Sequence, residues 1–268
     1  MSEPSVTTHR LQPMIGRDPH EEGRAASPLE LLYDLTFVVA IGVGASYFAE
    51  LTAAGHLRDA LIGFGFVMFA VQWAWINFSW LASAFDTDDW LYRLITMVQM
   101  TGVVILALGI PPAFKSIEEG PHFDNRTIVL GYVVMRIGLV THWLRAARGC
   151  EGELHRTTLR YAFGVLAIQV LWVIYALAPM SITTALLISV PLFVIELAIP
   201  LWAERRSPTP WHAHHIAERY GLFAIIALGE GVVGTVAPVG GGRGEGREHR
   251  GARHEFVHTS HRVRVVGR

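Results

Sequence analysis

Along this chain the hydrophobic positions do not recur in stripes; they run on. Stretches such as "LTFVVAIGVGASYF", "MVQMTGVVILALGI" and "ITTALLISVPLFVIELAIP" hold at most one charge each. A soluble helix shows one apolar face and one polar face. A helix that crosses the roughly 30 Å hydrocarbon core of a bilayer needs about 20 predominantly apolar residues instead. On this basis the pattern predicts helices over 29–52, 58–82, 92–114, 127–147, 158–178, 182–203 and 216–237. Polar connectors punctuate them, among them "FDTDDW", "KSIEEGPHFDNR", "RAARGCEGELHRTTLR" and "RRSPTPWHAHH".

Composition agrees with the pattern. Of 268 residues, 51% are hydrophobic and 17% charged, too apolar for a soluble domain of this size. The expected fold is all-α, a polytopic transmembrane bundle of about seven helices over 28–237, preceded by a polar N-terminal tail at 1–27. That tail carries Arg10, Arg17 and Arg24 but has no short apolar core followed by a small-residue cleavage site, so the first helix is expected to stay as an anchor.

Lys and Arg near helix ends set the orientation, because cytoplasmic loops hold the excess. With the N-terminus inside, the inner segments hold Arg10, Arg17, Arg24, Arg93, Arg145, Arg148, Arg156, Arg160, Arg205, Arg206 and Arg219, and the outer ones Arg58, Lys115 and Arg126. Eleven against three places the N-terminus in the cytoplasm. The lipid bilayer is the expected partner, with a small solute or ion as the candidate cargo. The formal net charge of −1 argues for no nucleic-acid partner. A single cysteine, Cys150, excludes an internal disulfide and any CxxC site.

From Pro238 the pattern breaks. Residues 238–268 contain seven Arg, seven Gly and four His, with no Leu or Ile. This segment reads either as a disordered basic tail or as a coding region translated in the wrong frame, and both readings stay open.

Candidate chemistry comes from the charges within the apolar runs. In "SPLELLYD", Ser27, Pro28 and Glu30 form a capping box, which by itself accounts for Glu30. Asp34 lies roughly 9 Å into the helix at 1.5 Å per residue, beyond the reach of the cap. A carboxylate at that depth costs some kcal/mol unless it is paired, protonated or wetted. The i, i+4 spacing puts Glu30 and Asp34 on one face. The seventh helix runs parallel to the first, so Glu218 and Arg219 fall near the same mouth and an Asp34 to Arg219 pair is allowed. Deeper, Arg136 and Glu230 lie at depths that arginine's long stem can bridge, which predicts an intramembrane ion pair. Glu196 and His142 occupy the inner halves of their helices. The competing reading is that the set is static packing glue, the usual role of Gln72, Asn77 and Gln99 as well.

The "HAHHIAER" stretch brings His214, His215 and Glu218 within one helical turn, but there is no HExxH motif and no second ligand cluster, so no metal is expected. Neither a GxSxG nor a phosphate-binding glycine loop occurs, no cofactor is implied, and the reading leans against an enzyme.

Two of these stretches resemble a known family. "SPLELLYDLTFVVAI", through Glu30, Asp34 and Phe37, and "HIAERYGLFAIIALGEGVVG", through His215, Glu218, Arg219, Gly221, Gly229 and Glu230, resemble signatures of the bacterial low temperature requirement A family. The resemblance covers roughly 27–237 and implies a multi-pass inner-membrane protein linked to growth in the cold, with further hydrophobic helices beyond this point. It ties none of the candidate ion-site or substrate-site residues, Glu30, Asp34, Arg136, Glu196, His215, Glu218, Arg219 and Glu230, to a particular reaction. Substrate and oligomeric state are not legible.

Overall fold

The computed structural model describes residues 11–241, and among these every named element is a helix. They are α1 (Pro28–Ala53), α2 (Leu57–Phe85), α3 (Trp90–Glu119), α4 (Arg126–Gly149), α5 (Gly152–Leu177), α6 (Ile182–Ala203) and α7 (Ala213–Gly241). Each expected helix is present, with ends displaced by a few residues. Capping accounts for some of the ends. Asp89 accepts the Tyr92 amide and starts α3 early; Ser181 accepts the Thr184 amide and starts α6 at the expected residue. The last helix continues past Pro238 to Gly241, and the remainder of the expected tail lies outside the described residues.

α1 to α6 are each long and apolar enough to cross a membrane. From α1 to α6, short connectors make successive helices antiparallel neighbours. α3 packs along α4, α4 along α5, and α5 along α6; α1 packs on α2, α3 and α7, and α2 also touches α3, α4 and α7. α6 and α7 therefore stand at opposite margins. Small residues set the tightest crossing. A Cβ on Gly131 of α4 would stand 2.5 Å from the Leu106 amide nitrogen, and one on Gly109 of α3 would stand 2.5 Å from that of Ile128. Only glycine lets these two backbones approach so closely, as is common between membrane helices.

The bundle is inverted relative to a soluble protein. Leu108, Leu187, Leu201 and Leu228 project outward, each about 70% exposed, while Glu30, Asp34, Arg136, Glu196, His215 and Arg219 are buried. Aliphatic exteriors of this extent suit hydrocarbon and not water.

The N-terminal segment is a strap and not a loose tail. The Arg17 amide donates to the Ala84 carbonyl at 2.9 Å, and the Gln12 amide to Asp89 at 3.1 Å. Arg145 joins this corner by bonding both Asp89 and the Gln12 carbonyl. Arg24, itself buried, caps the Ala82 carbonyl at 2.8 Å. Met14 anchors the strap in apolar contact, only 1% exposed. Residues 11–27 thus close the end of the bundle where α1 begins.

Beneath the strap, burial pushes the Asp86 carboxyl up to about 6, with the charge of Glu30 adding to the effect. A folded pKa above the unfolded one favours the fold while the group is protonated, and that advantage is lost as pH rises through about 6. Asp86→Asn retains an acceptor for the Asp88 amide, 2.9 Å away. The variant is expected to raise the thermal midpoint in detergent at about pH 8, by up to about 3 kcal/mol in stability, and to change it little near pH 4. Paired melting curves at the two pH values check both sign and window.

Candidate buried charge site

Ser27 places the first carboxylate. Its hydroxyl accepts the Glu30 amide at 3.3 Å and its own amide donates to Glu30 Oε2 at 2.8 Å, completing the capping box. The same carboxylate also faces inward: His215 Nε2 lies 3.3 Å from Glu30 Oε2, and Arg219 Nη1 is 3.5 Å from Oε1. Cap and site are therefore one side chain doing both jobs.

One turn further in, Asp34 Oδ1 accepts from Arg219 Nη2 and, at 2.7 Å, from the Trp75 indole N–H. Trp75 and Phe78 of α2 also present their faces to the guanidinium, with centroids 5.4 and 5.7 Å from its carbon, a cation–π enclosure. Tyr33 stacks on Phe78 at 3.9 Å and seals the α1 side. All four charged or titratable members, Glu30, Asp34, His215 and Arg219, are at most 1% exposed. His212 ties the site to the strap: its Nδ1 accepts the His215 amide at 3.1 Å, and its Nε2 lies 2.9 Å from the Glu21 carbonyl.

The Asp34 to Arg219 pair is formed as the sequence suggests. The Arg136 to Glu230 pair is not. Arg136 Nη2 instead donates to Glu196 Oε2 at 2.9 Å. Depth alone matched Arg136 to Glu230, but α4 lies among α3, α5 and α2 while α7 lies against α1 and α2. Glu230 is exposed and rests beside Gly42 of α1, where a Cβ would stand 2.8 Å from its Oε1. Glu218 is half-buried outside the cluster, and the exposed His214 points away from His215. The three residues of the "HAHHIAER" stretch thus do not converge. Glu196 also accepts the Trp172 indole at 2.9 Å, and Tyr132 places its ring 5.1 Å from the Arg136 guanidinium carbon. Beside Glu196, between Phe66, Tyr132, Trp172 and Phe193, a cavity of about 20 Å³ has room for one water.

Three contributors escaped the sequence reading: Trp75 and Trp172 as donors, and Tyr33, which stacks on the Phe78 ring that faces Arg219. For Trp75, the depth of its position in the apolar run is the signal. An indole N–H in hydrocarbon needs an acceptor.

Long apolar helices around buried ion pairs define a multi-pass membrane protein. The comparisons specify which kind. The profile of the family described as bacterial low temperature requirement A protein (LtrA) matches residues 25–252, and the chain belongs to that family. Uncharacterized protein RA0937 of Rhizobium meliloti (strain 1021) is 26% identical over 234 residues, covering 84% of this chain and 53% of its own length. The chain thus spans about half the length of that relative. No solved structure matches it.

Breaking a buried pair leaves an uncompensated charge, whereas replacing both members with apolar residues is often tolerated. Arg136→Leu is expected to cost about 3–5 kcal/mol, with Arg136→Leu/Glu196→Leu recovering most of the loss. Arg136→Leu/Glu230→Leu should recover none. Thermal unfolding of the three variants in one detergent identifies the partner.

Proposed function

We propose that this protein carries protons, or a small cation in their place, across the inner membrane. The observation behind this reading is a charge count. Among the side chains in direct contact, Glu30 and Asp34 contribute two negative charges and Arg219 one positive charge, in a site closed to solvent, with Arg24 and Asp86 lying outside that contact set. Hydrocarbon penalises a net charge by several kcal/mol, so the cluster calls for one further positive charge. His215, in contact with Glu30, is the natural place to hold it as a proton. The entry is at the strap, where His212 joins His215 to the Glu21 carbonyl. The Arg136–Glu196 pair, whose cavity admits a water, supplies the inner step. The excess of Arg on the strap side supports a cytoplasmic N-terminus. The family's description supports a part in growth at low temperature.

The aromatic enclosure of Arg219 by Trp75 and Phe78 favours a second reading, in which the charges only fix the bundle. Proteoliposomes loaded with a pH-sensitive dye separate the two. Under an imposed potassium diffusion potential, wild type is expected to acidify the lumen faster than empty vesicles. Asp34→Asn and His215→Gln are expected to abolish the difference while still inserting and eluting as folded protein. Flux equal to that of empty vesicles, or undiminished in both folded variants, supports the static reading.

A further inference from the structure

The outer face of the α4–α5 pair carries a groove of about 400 Å³, within the range of small-molecule sites. Its walls are aliphatic: Val133, Ile137 and Val140 from α4, and Val170, Val173 and Ile174 from α5. Ile137, Val170 and Ile174 are more than half exposed, so the groove opens sideways to lipid. Its floor is polar. Gln169 is 6% exposed, and neither its Oε1 nor its Nε2 has a partner among the described residues. Arg136, which lines the same groove, is 4% exposed and its Nε is likewise unpaired.

A buried amide with no partner costs about 1–3 kcal/mol, and here two donors and one acceptor gather at one spot. Depth and charge say what would satisfy them. Gln169 lies roughly 12 Å and Arg136 roughly 15 Å from the helix ends at Leu177 and Arg126, at 1.5 Å per residue, deep within the hydrocarbon. Charged headgroups do not reside at that level. Arg136 is already neutralised by Glu196, so the floor has no net charge for an anion to answer. We propose that this groove binds a neutral membrane-dissolved lipid whose head carries a carbonyl and a hydroxyl. With the Gln169 and Arg136 side chains turned toward the groove, the carbonyl accepts from Gln169 Nε2 and Arg136 Nε, the hydroxyl donates to Gln169 Oε1, and the chain lies along the aliphatic walls. The site faces lipid and does not depend on proton movement through the bundle.

The test uses the full chain in nanodiscs of phosphatidylethanolamine and phosphatidylglycerol. Two probes share one diazirine-bearing acyl chain: a diacylglycerol and a phosphatidylglycerol. The diacylglycerol is expected to label peptides containing Ile137, Val170 and Ile174 about tenfold more than the charged probe, the worth of one or two hydrogen bonds. Gln169→Leu, which removes the unpaired atoms and so should fold well, is expected to erase that preference. Ile174→Trp, which fills the groove from its wall, should do the same while labelling around Leu187 on α6 stays constant. Equal labelling by the two probes in wild type, or a preference that survives both variants, overturns the proposal and leaves only annular lipid in the groove. A cross-linked dimer with α4 and α5 at its seam overturns it as well.

Discussion

A guanidinium inside hydrocarbon has to be neutralised by protein, and that requirement organises the α1 end of this molecule. Arg219 is fully buried on α7, a helix that touches only one side of the bundle. Water cannot reach it, so its partners must come from neighbouring helices. Glu30 and Asp34 of α1 supply the charge, and Trp75 and Phe78 of α2 supply π faces. The ion pair thereby fixes the rotation of α7 about its axis, which apolar packing in lipid specifies poorly, because lipid tails are as apolar as leucine.

The second charge pair repeats the same solution with different helices. In each, one carboxylate accepts both from an arginine and from a tryptophan indole, and an aromatic ring faces the guanidinium. Asp34, Arg219 and Trp75 join α1, α7 and α2; Glu196, Arg136 and Trp172 join α6, α4 and α5. The two marginal helices, α6 and α7, are thus both pinned by charge. The clusters differ in one respect. Glu196 and Arg136 balance one to one, whereas Glu30 and Asp34 outnumber the Arg219 they contact, and the proposed proton site rests on that surplus.

The helices were legible because length and apolarity decide membrane insertion residue by residue, with no reference to neighbours. The Asp34–Arg219 pair was legible for a related reason. Both residues sit at the same depth on parallel helices, and depth is a property of sequence position. Arg136 shows where this reasoning stops. Glu230 and Glu196 both offered a carboxylate within reach along the membrane normal, and choosing between them required the lateral order of the helices. Trp75 and Trp172 stayed hidden because an indole reads as apolar bulk until its N–H is seen to face an acceptor.

By itself, then, the sequence determined the number of helices, their approximate ends, the buried character of Glu30 and Asp34, and membership of a membrane family through two short motifs. These follow from the one-dimensional balance of apolar length against polar cost. Only the tertiary structure decided that α6 and not α7 answers Arg136, that residues 11–27 lie as a strap across the bundle end, and that Gln169 stands, among the described residues, unpaired beneath a groove open to lipid. Each of these depends on which helix lies beside which and how each is rotated. Those choices are made by side chains meeting across helices far apart in the chain, so no local stretch of sequence records them.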